Sequence, residues 1–397
     1  MSSVIVMGAN YSSALGVVRA LGVAGYDVKL LSLNKNTHRI AGSSRYVKQS
    51  VRTGRSYPEI KNGLDVLCQA SEKTMIIPAD DISCRLLNLH DEELLKRFFI
   101  PNVKMLPGEL ARFMSKYEQK KLAEICNIAT AKGKAYSTDI DGKTKALQET
   151  MFPCFVKPLG DESASKNLMG RCNNSEELNN IIQNANNNGC DKVLIEKYLP
   201  IDKEYCLCGV AYNGQAIIPA VIDKILVGCG AYKGVTAEAY VKSADEMIDD
   251  VDKLEQFVGA MGFSGLFDIE LIESDGIRYF CEMNMRNSAA GYGITAAGVN
   301  LPAMLAKAIM SNSPLDSMKV RNPIHFISEK VALDDYAAGF LSWKEYKERV
   351  NSSYVHFIHN EDDPKPYRAY QFVVLRKRIL AQLRGKHSGN KKPLKCF

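Results

Sequence analysis

Glu282, Asn284 and Arg286 stand at every second position of RYFCEMNMRNSAAG (278–291), where an apolar run gives way to polar residues. Alternate side chains of a strand leave on one face, so a carboxylate, an amide oxygen and a guanidinium would point the same way. Glu270 lies on the other arm of the same hairpin, GLFDIELIESDGIRYFCEMN, which turns at Ser274-Asp275-Gly276. Counting back from the turn sets Glu270 opposite the Glu282–Asn284 pair. Asp268 shares Glu270's strand face and takes its place if the register moves by one step. Two carboxylates and an amide oxygen are hard ligands suited to Mg²⁺, which keeps its other positions for water and phosphate oxygens. Arg286 then falls where a guanidinium stabilises charge on a transferring phosphoryl group. The plainer alternative is a solvated strand tip leading into a turn.

Holding such a hairpin takes a larger scaffold, and 397 residues suffice for two or three domains. SVIVMGAN reads as a buried strand ending at Gly8, and SSALGVVRALGVAGY has helical period, with Ser12 or Ser13 as cap and Gly25 as stop. DVKLLSL is a second strand and KTMIIPADD a third, ending on Asp80 and Asp81. Strand, helix and strand at this spacing imply a parallel sheet with crossover helices. The dinucleotide fingerprint is not met: only Gly8 follows the first strand where three glycines are expected. Beyond residue ~110 the pattern turns to α+β. FPCFVKPLGDESASKNLMGRC holds Lys157 between Val156 and Pro158, and two antiparallel strands meet at Asn213-Gly214. SADEMIDDVDKLEQFVGAMGFSG reads as an amphipathic helix.

Bulk properties narrow the class. The chain is 46% hydrophobic and 24% charged, with no apolar run of bilayer-spanning length. MSSVIVMGAN lacks the basic start and cleavage site of a signal peptide, so a cytoplasmic location is expected. The eleven cysteines form no CxxC pair, which argues against a zinc site or a disulfide framework. Ten of the 51 basic residues and none of the 45 acidic ones lie from Pro364 onward, so the first 363 residues carry a net charge of −4. A nucleic-acid enzyme would spread basic charge over its body, so no nucleic-acid partner is expected. The tail instead sets Phe372, Leu375, Ile379 and Leu383 at helical spacing among Arg376, Lys377, Arg378 and Arg384. Such a basic amphipathic helix suits a membrane surface or a partner, unless its stripe packs on the body.

Seven segments in order, SKYEQKKLAE, PCFVKP, VLIEKYL, KEYCLCG, FDIELI, CEMNMRN and AAGVNLP, resemble the ATP-grasp superfamily. Among its carboxylate–amine ligases the chain is most similar to the D-aspartate-ligase-like enzymes, over roughly residues 1–330. The resemblance implies an ATP-grasp fold, with an N-terminal parallel α/β domain (1–112) followed by two α+β subdomains enclosing the nucleotide (113–195 and 196–330). Residues 331–397 would be a C-terminal extension bearing the basic tail. Carried over by position, Lys116 and Lys157 reach the nucleotide phosphates, with Lys157 and Arg286 acting in catalysis. Glu196, Lys197, Tyr198 and Leu199 form the hinge beside adenine, where backbone groups of Lys197 and Leu199 read the base edge. Glu204 binds the ribose hydroxyls, and Glu270, Glu282 and Asn284 hold Mg²⁺, with two ions expected. Relatives carry a glycine-rich loop over the phosphates. Here GDESASKNLMG has Gly160 and Gly170 only at its ends, leaving Ser163, Ser165, Lys166 and backbone N–H groups for that task. KILVGCGAYKGVTAEAY (224–240) is expected to face substrate, with Lys233 toward the donor carboxylate or toward water.

The implied reaction needs no protein nucleophile. A substrate carboxylate, from an amino acid, attacks the γ-phosphate of Mg·ATP, and an amine displaces phosphate from the acyl phosphate to form an amide or isopeptide bond. Two other classes fit the same residues: an ATP-binding assembly or regulatory module without ligase activity, and a phosphotransferase needing no amine. The tail would add a contact with a membrane surface or an envelope precursor, making the enzyme peripheral at the inner face of the membrane.

Overall fold

Val4, Ile5, Val6 and Met7 are completely buried, as a strand covered on both faces must be. In the computed structural model, which describes residues 3–68, 74–159 and 168–383, they form the centre of a five-stranded parallel sheet. Its strands are β1 (Ser3–Gly8), β2 (Asp27–Ser32), β3 (Val47–Arg52), β4 (Thr74–Pro78) and β5 (Phe98–Phe99), in the order β3-β2-β1-β4-β5. Alternation sends Val4 and Val6 into one core with Leu15 and Val18, and Ile5 and Met7 into another with Ile60 and Leu64. The helix after β1 spans Tyr11–Val23, and its cap is Asn10, whose side chain accepts from Ser12 N. Neither Ser12 nor Ser13 takes that role, because both already lie within the first turn. The expected Gly25 stop has φ +84, a conformation that glycine adopts without a Cβ penalty.

A short strand β6 (Asn102–Val103) pairs with a later one. The chain divides into two units. One comprises Met1–Leu110, Tyr205–Ile269 and Asn284–Phe397, the other Ala111–Glu204 and Glu270–Met283. The second unit is built on β7 (Gly133–Ser137), β8 (Cys154–Leu159), β9 (Gly170–Cys172) and β10 (Lys192–Lys197), in the order β7-β10-β8-β9. Every pairing in this sheet is antiparallel. Cys154, Val156, Val193 and Ile195 face a core shared with Leu178 and Ile182 of the helix Ser175–Asn187. Period two therefore turns Lys157 and Glu196 to the opposite face.

The third sheet contains β11 (Lys203–Tyr212), β12 (Gln215–Val227), β13 (Thr236–Ser243), β14 (Phe263–Ser274), β15 (Ile277–Asn284), β16 (Ile324–Ile327) and β17 (Val355–His356). Their order is β15-β14-β11-β12-β13-β16-β17, with β6 beside β14. Asn213 and Gly214 close one hairpin and Asp275 and Gly276 the other, all four with positive φ. Two left-handed central residues match the right-handed twist of the flanking strands. The chain leaves the first unit along β14 after Ile269 and re-enters it along β15 at Asn284.

Within the first unit the segment around β17 is clamped by buried charge. Arg19 is 1% exposed; its Nε donates to Asp363 at 3.0 Å and its other nitrogens donate to the carbonyls of Phe357, Ile358 and Asp363. The Glu329 carboxylate accepts N–H groups from Phe357, Ile358 and His359. The terminal helix Lys365–Leu383 turns Tyr370 and Ala381 inward, while Phe372, Leu375, Ile379 and Leu383 are exposed. Of that stripe, Phe372 is stacked by Arg39 of the body, with the guanidinium 4.6 Å from its ring centre. Among the described residues no helix is long and apolar enough to cross a membrane.

Candidate active site

Residues 282–286 alternate, although β15 ends at Asn284: Met283 and Met285 are buried, whereas Glu282, Asn284 and Arg286 are half-buried. They are not a solvated tip, because each has a specific partner. In the first unit, Asn284 Nδ2 donates to Asp268 at 2.8 Å, Arg286 Nη1 pairs with the same carboxylate, and Arg286 Nε donates to Asp81 at 2.6 Å. Burial works against the guanidinium's charge, and the two carboxylates outweigh it, so Arg286 is held firmly protonated. Asp268 is 3% exposed, and each of its oxygens is engaged by one of these contacts.

In the second unit the two lysines expected to reach phosphate both meet carboxylates. Lys116, at the start of the helix Lys116–Ile125, lies 2.5 Å from Glu282. Lys157 lies 2.7 Å from Glu196. The sheet register explains the second pair: Leu194 stands opposite Lys157, so Glu196, two residues on, is its diagonal neighbour on one face. Glu196 is 5% exposed on an inner strand, so it is no edge carboxylate in solvent.

Two further residues of SKYEQKKLAE build this cluster, and the sequence reading did not single them out. Lys120 reaches Glu196 at 3.1 Å and donates to Thr130, and Gln119 donates to Phe113 and Met283 carbonyls while accepting from Met283 N. The available signal was spacing, since Lys120 lies four residues after Lys116 and so shares its helix face. The Cys281 thiol reports how the charges gather: burial pushes it up to about 12, Lys157 pulls it down, and Glu270, Glu282 and Glu196 push it up.

The remaining candidates are less committed. Lys197 and Tyr198 spend their N–H groups on the carbonyls of Lys132 and Pro153, and Arg171 stacks over the Tyr198 ring at 4.4 Å. Leu199 follows β10, and Glu204 is half-buried at the start of β11. In the stretch expected to face substrate, residues 224–227 and 236–240 belong to β12 and β13, and 228–235 form the loop between them, where Lys233 is exposed. Asp335 fixes that loop by accepting from the N–H groups of Cys229 and Gly230. Gly160, Ser163, Ser165, Lys166 and Arg384 lie outside the described residues.

Within the second unit Glu270 and Glu282 bear together on one thiol, and their hard oxygens fit Mg²⁺ by their chemistry. Among the described residues no group of three His, Cys, Asp or Glu side chains gathers as a metal site.

No family model matches the chain. Over 203 residues, 49% of its length, it is 26% identical to the carbamoyl phosphate synthase large chain of Clostridium perfringens, of which this covers 18%. It is 20% identical over 240 residues to a formate-dependent phosphoribosylglycinamide formyltransferase of Corynebacterium jeikeium, covering 51% of this chain and 57% of that one. The chain thus spans less than two thirds of the length of these curated relatives. Among solved structures, an ADP complex of an N5-carboxyaminoimidazole ribonucleotide synthetase superposes with a TM-score of 0.67 at 15% identity, covering 97% of each chain. The biotin carboxylase domain of a Hydrogenobacter thermophilus 2-oxoglutarate carboxylase, solved with MgADP and bicarbonate, gives 0.63 at 16% identity over 81% and 73%. An L-amino acid ligase of Bacillus licheniformis gives 0.55 at 14% identity over 82% and 79%. At these identities the likeness is one of fold.

Proposed function

We propose that this protein, whose fold is that of the ATP-grasp ligases, is an ATP-dependent carboxylate–amine ligase that makes an amide or isopeptide bond through an acyl phosphate. The observation that carries the reading is the pairing of Lys116 with Glu282 and of Lys157 with Glu196. Each lysine of the ATP-grasp pattern is paired with an internal carboxylate, on the sheet face or helix that the pattern assigns to phosphate. Binding a triphosphate would let both ammonium groups exchange a carboxylate for phosphate oxygens, and the freed Glu282 would then serve Mg²⁺ with Glu270 and Asn284. Bound Mg²⁺ would supply charge neutralisation at the phosphates. Arg286, fixed by Asp268 and Asp81, would meet developing charge without reorganising. Lys197, its N–H already spent, would offer adenine its carbonyl, and Leu199 its N–H. Glu204 would accept from the ribose hydroxyls. The donor would be an amino-acid carboxylate.

The test is ADP release from pools of amino acids, with and without amines. A ligase releases ADP and forms the amide only when both substrates are present. A phosphotransferase releases ADP without an amine, and a nucleotide-binding module releases none. Glu282→Gln should abolish turnover while leaving the fold intact, since a neutral amide cannot balance cations beside a triphosphate. Near wild-type turnover in that variant would return Glu282 to the role of a structural ion-pair partner.

The exposed stripe of the terminal helix supports a second element of the proposal. Phe372, Leu375, Ile379 and Leu383 lie beside exposed Arg376 and Arg378. Apolar groups beside cationic ones suit an anionic membrane surface, which would place the enzyme beside an envelope precursor.

A further inference from the structure

Lys330 is 5% exposed, yet no described residue gives its Nζ a hydrogen bond or a carboxylate partner. A buried ammonium without a partner is costly. What surrounds it is aromatic: Nζ lies 3.4 Å from the centre of the Tyr232 ring and 5.3 Å from that of Tyr11. Nearby carboxylates are engaged elsewhere. Asp334 pairs with Lys377 and accepts from Ala231 N, Asp335 accepts from Cys229 and Gly230, and Glu329 is filled by three backbone N–H groups. Asp80, which also acts on its charge, accepts from Ala9 and Asn10 N and caps the helix after β4.

The place of this lysine in the fold gives its isolation a meaning. β1 has β2 on one side and β4 on the other, so the chain reverses its direction of winding between β1 and β4. Crevices at the carboxyl ends of strands beside such a switch are where open α/β sheets take ligands. Tyr11 opens the helix that follows β1, and Asp80 follows β4. The hydroxyls of Tyr11 and Tyr232 have no hydrogen-bond partner among the described residues. Burial raises both, so they stay protonated and can donate. The loop carrying Tyr232 is pinned at its base by Asp335, which sets that ring over the ammonium.

We infer that Lys330, Tyr11 and Tyr232 form a binding site for an oxyanion, a carboxylate or phosphate group on a small-molecule ligand, at the β1–β4 switch point. Three potential donors with no protein acceptor are what such a group needs. The lysine also has reason to gain from it. Burial and the like charge of Lys377 lower its pKa to about 7, against Asp334 and Asp80, which raise it. A bound anion would restore the charged form, so binding should take up a proton near neutral pH.

Trace acetylation with acetic anhydride, read by mass spectrometry on the intact chain, measures the neutral fraction of each lysine against pH. We expect Lys330 to react with a midpoint near neutrality. Inorganic phosphate or acetate should suppress its labelling at pH 7, about fivefold for a one-unit rise in pKa. Chloride at equal ionic strength should leave it unchanged, and exposed Lys344 should respond to none of them. Suppression by phosphate alone identifies a phosphate site, and suppression by acetate alone a carboxylate site. Three results overturn the inference: no suppression by either oxyanion, equal suppression by chloride, or a Lys330 that acetic anhydride cannot reach. As a second readout, the thermal stabilisation given by the effective anion should vanish in Lys330→Met. Its persistence would move the site elsewhere. Labelling needs no ATP and no turnover, so its outcome is separate from that of the ligase assay.

Discussion

Glu196→Gln isolates what the buried carboxylate does. Its side chain is 6% exposed and sits between Lys157 at 2.7 Å and Lys120 at 3.1 Å, themselves 19% and 7% exposed. Removing one partner of a buried pair costs about 3–5 kcal/mol, because the other charge stays behind without compensation. Two features reduce that figure here. Lys120 keeps Thr130 and the Ala131 carbonyl, and Lys157 is open enough to reach water. A loss of about 2–3 kcal/mol is therefore expected. The only tryptophan, Trp343, lies in the first unit, so its fluorescence will not report the second. Urea unfolding followed by circular dichroism, with pulse proteolysis to assign the unit that opens, is the suitable assay. Lys157→Met should lose less in the Glu196→Gln background than alone, with a coupling of about 1 kcal/mol or more. A loss under about 0.5 kcal/mol, or strict additivity of the two changes, would refute the idea that Glu196 is the counter-ion of the lysines.

Lys157→Ala should raise the apparent KM for ATP and lower kcat together, because a phosphate-bound cation acts in both ground and transition states; an unchanged KM in initial-rate kinetics would take Lys157 out of the nucleotide site. Burial holds Lys330 at about 7, so between pH 7 and about 10 the unfolded chain binds a proton that the folded chain does not. Its contribution to stability thus rises with pH, by about 1.4 kcal/mol per unit within that window, and Lys330→Met should flatten the slope of urea-unfolding free energy measured between pH 7.5 and 9. The chain should sediment with anionic vesicles at low salt and be released as salt rises, each basic residue near the surface contributing about 1 kcal/mol; replacing exposed Phe372 and Leu375 by Ser should end the binding, and equal sedimentation of that variant would remove the helix from the contact.

What could be read in the sequence was whatever depends on local period. The alternation of Glu282 and Asn284 with Met283 needs only the pleat of one strand, and the two hairpin turns need only Asn213-Gly214 and Asp275-Gly276 with positive φ. The parallel sheet around β1 was legible for the same reason. Lys157 could be flagged as an ammonium in need of a partner, but its partner could not be named. Glu196 lies 39 positions away in sequence and meets it only because β10 pairs with β8 in one particular register. Lys120 and Gln119 were hidden for a related reason: on a short helix they look like surface residues, but Gln119 meets Met283 near the end of β15 and Lys120 meets Glu196 of β10.

Lys330 shows the same limit in sharper form. In SEKVALDDY, Glu329 and Lys330 read as ordinary charges in the first turn of an exposed helix. Both are buried, at 1% and 5% exposure, because segments distant in sequence close over them. Glu329 is enclosed by N–H groups of residues 357–359, which Arg19 and Asp363 hold in place. Lys330 is enclosed by Tyr11 and Tyr232. A carboxylate with three donors is a finished structural element. An ammonium with aromatic walls and no acceptor is not, since a structural role would be filled as well by Met, which has similar reach and carries no desolvation cost. Retaining the charge where the fold leaves it unanswered is the physical reason to look for an anion at Lys330.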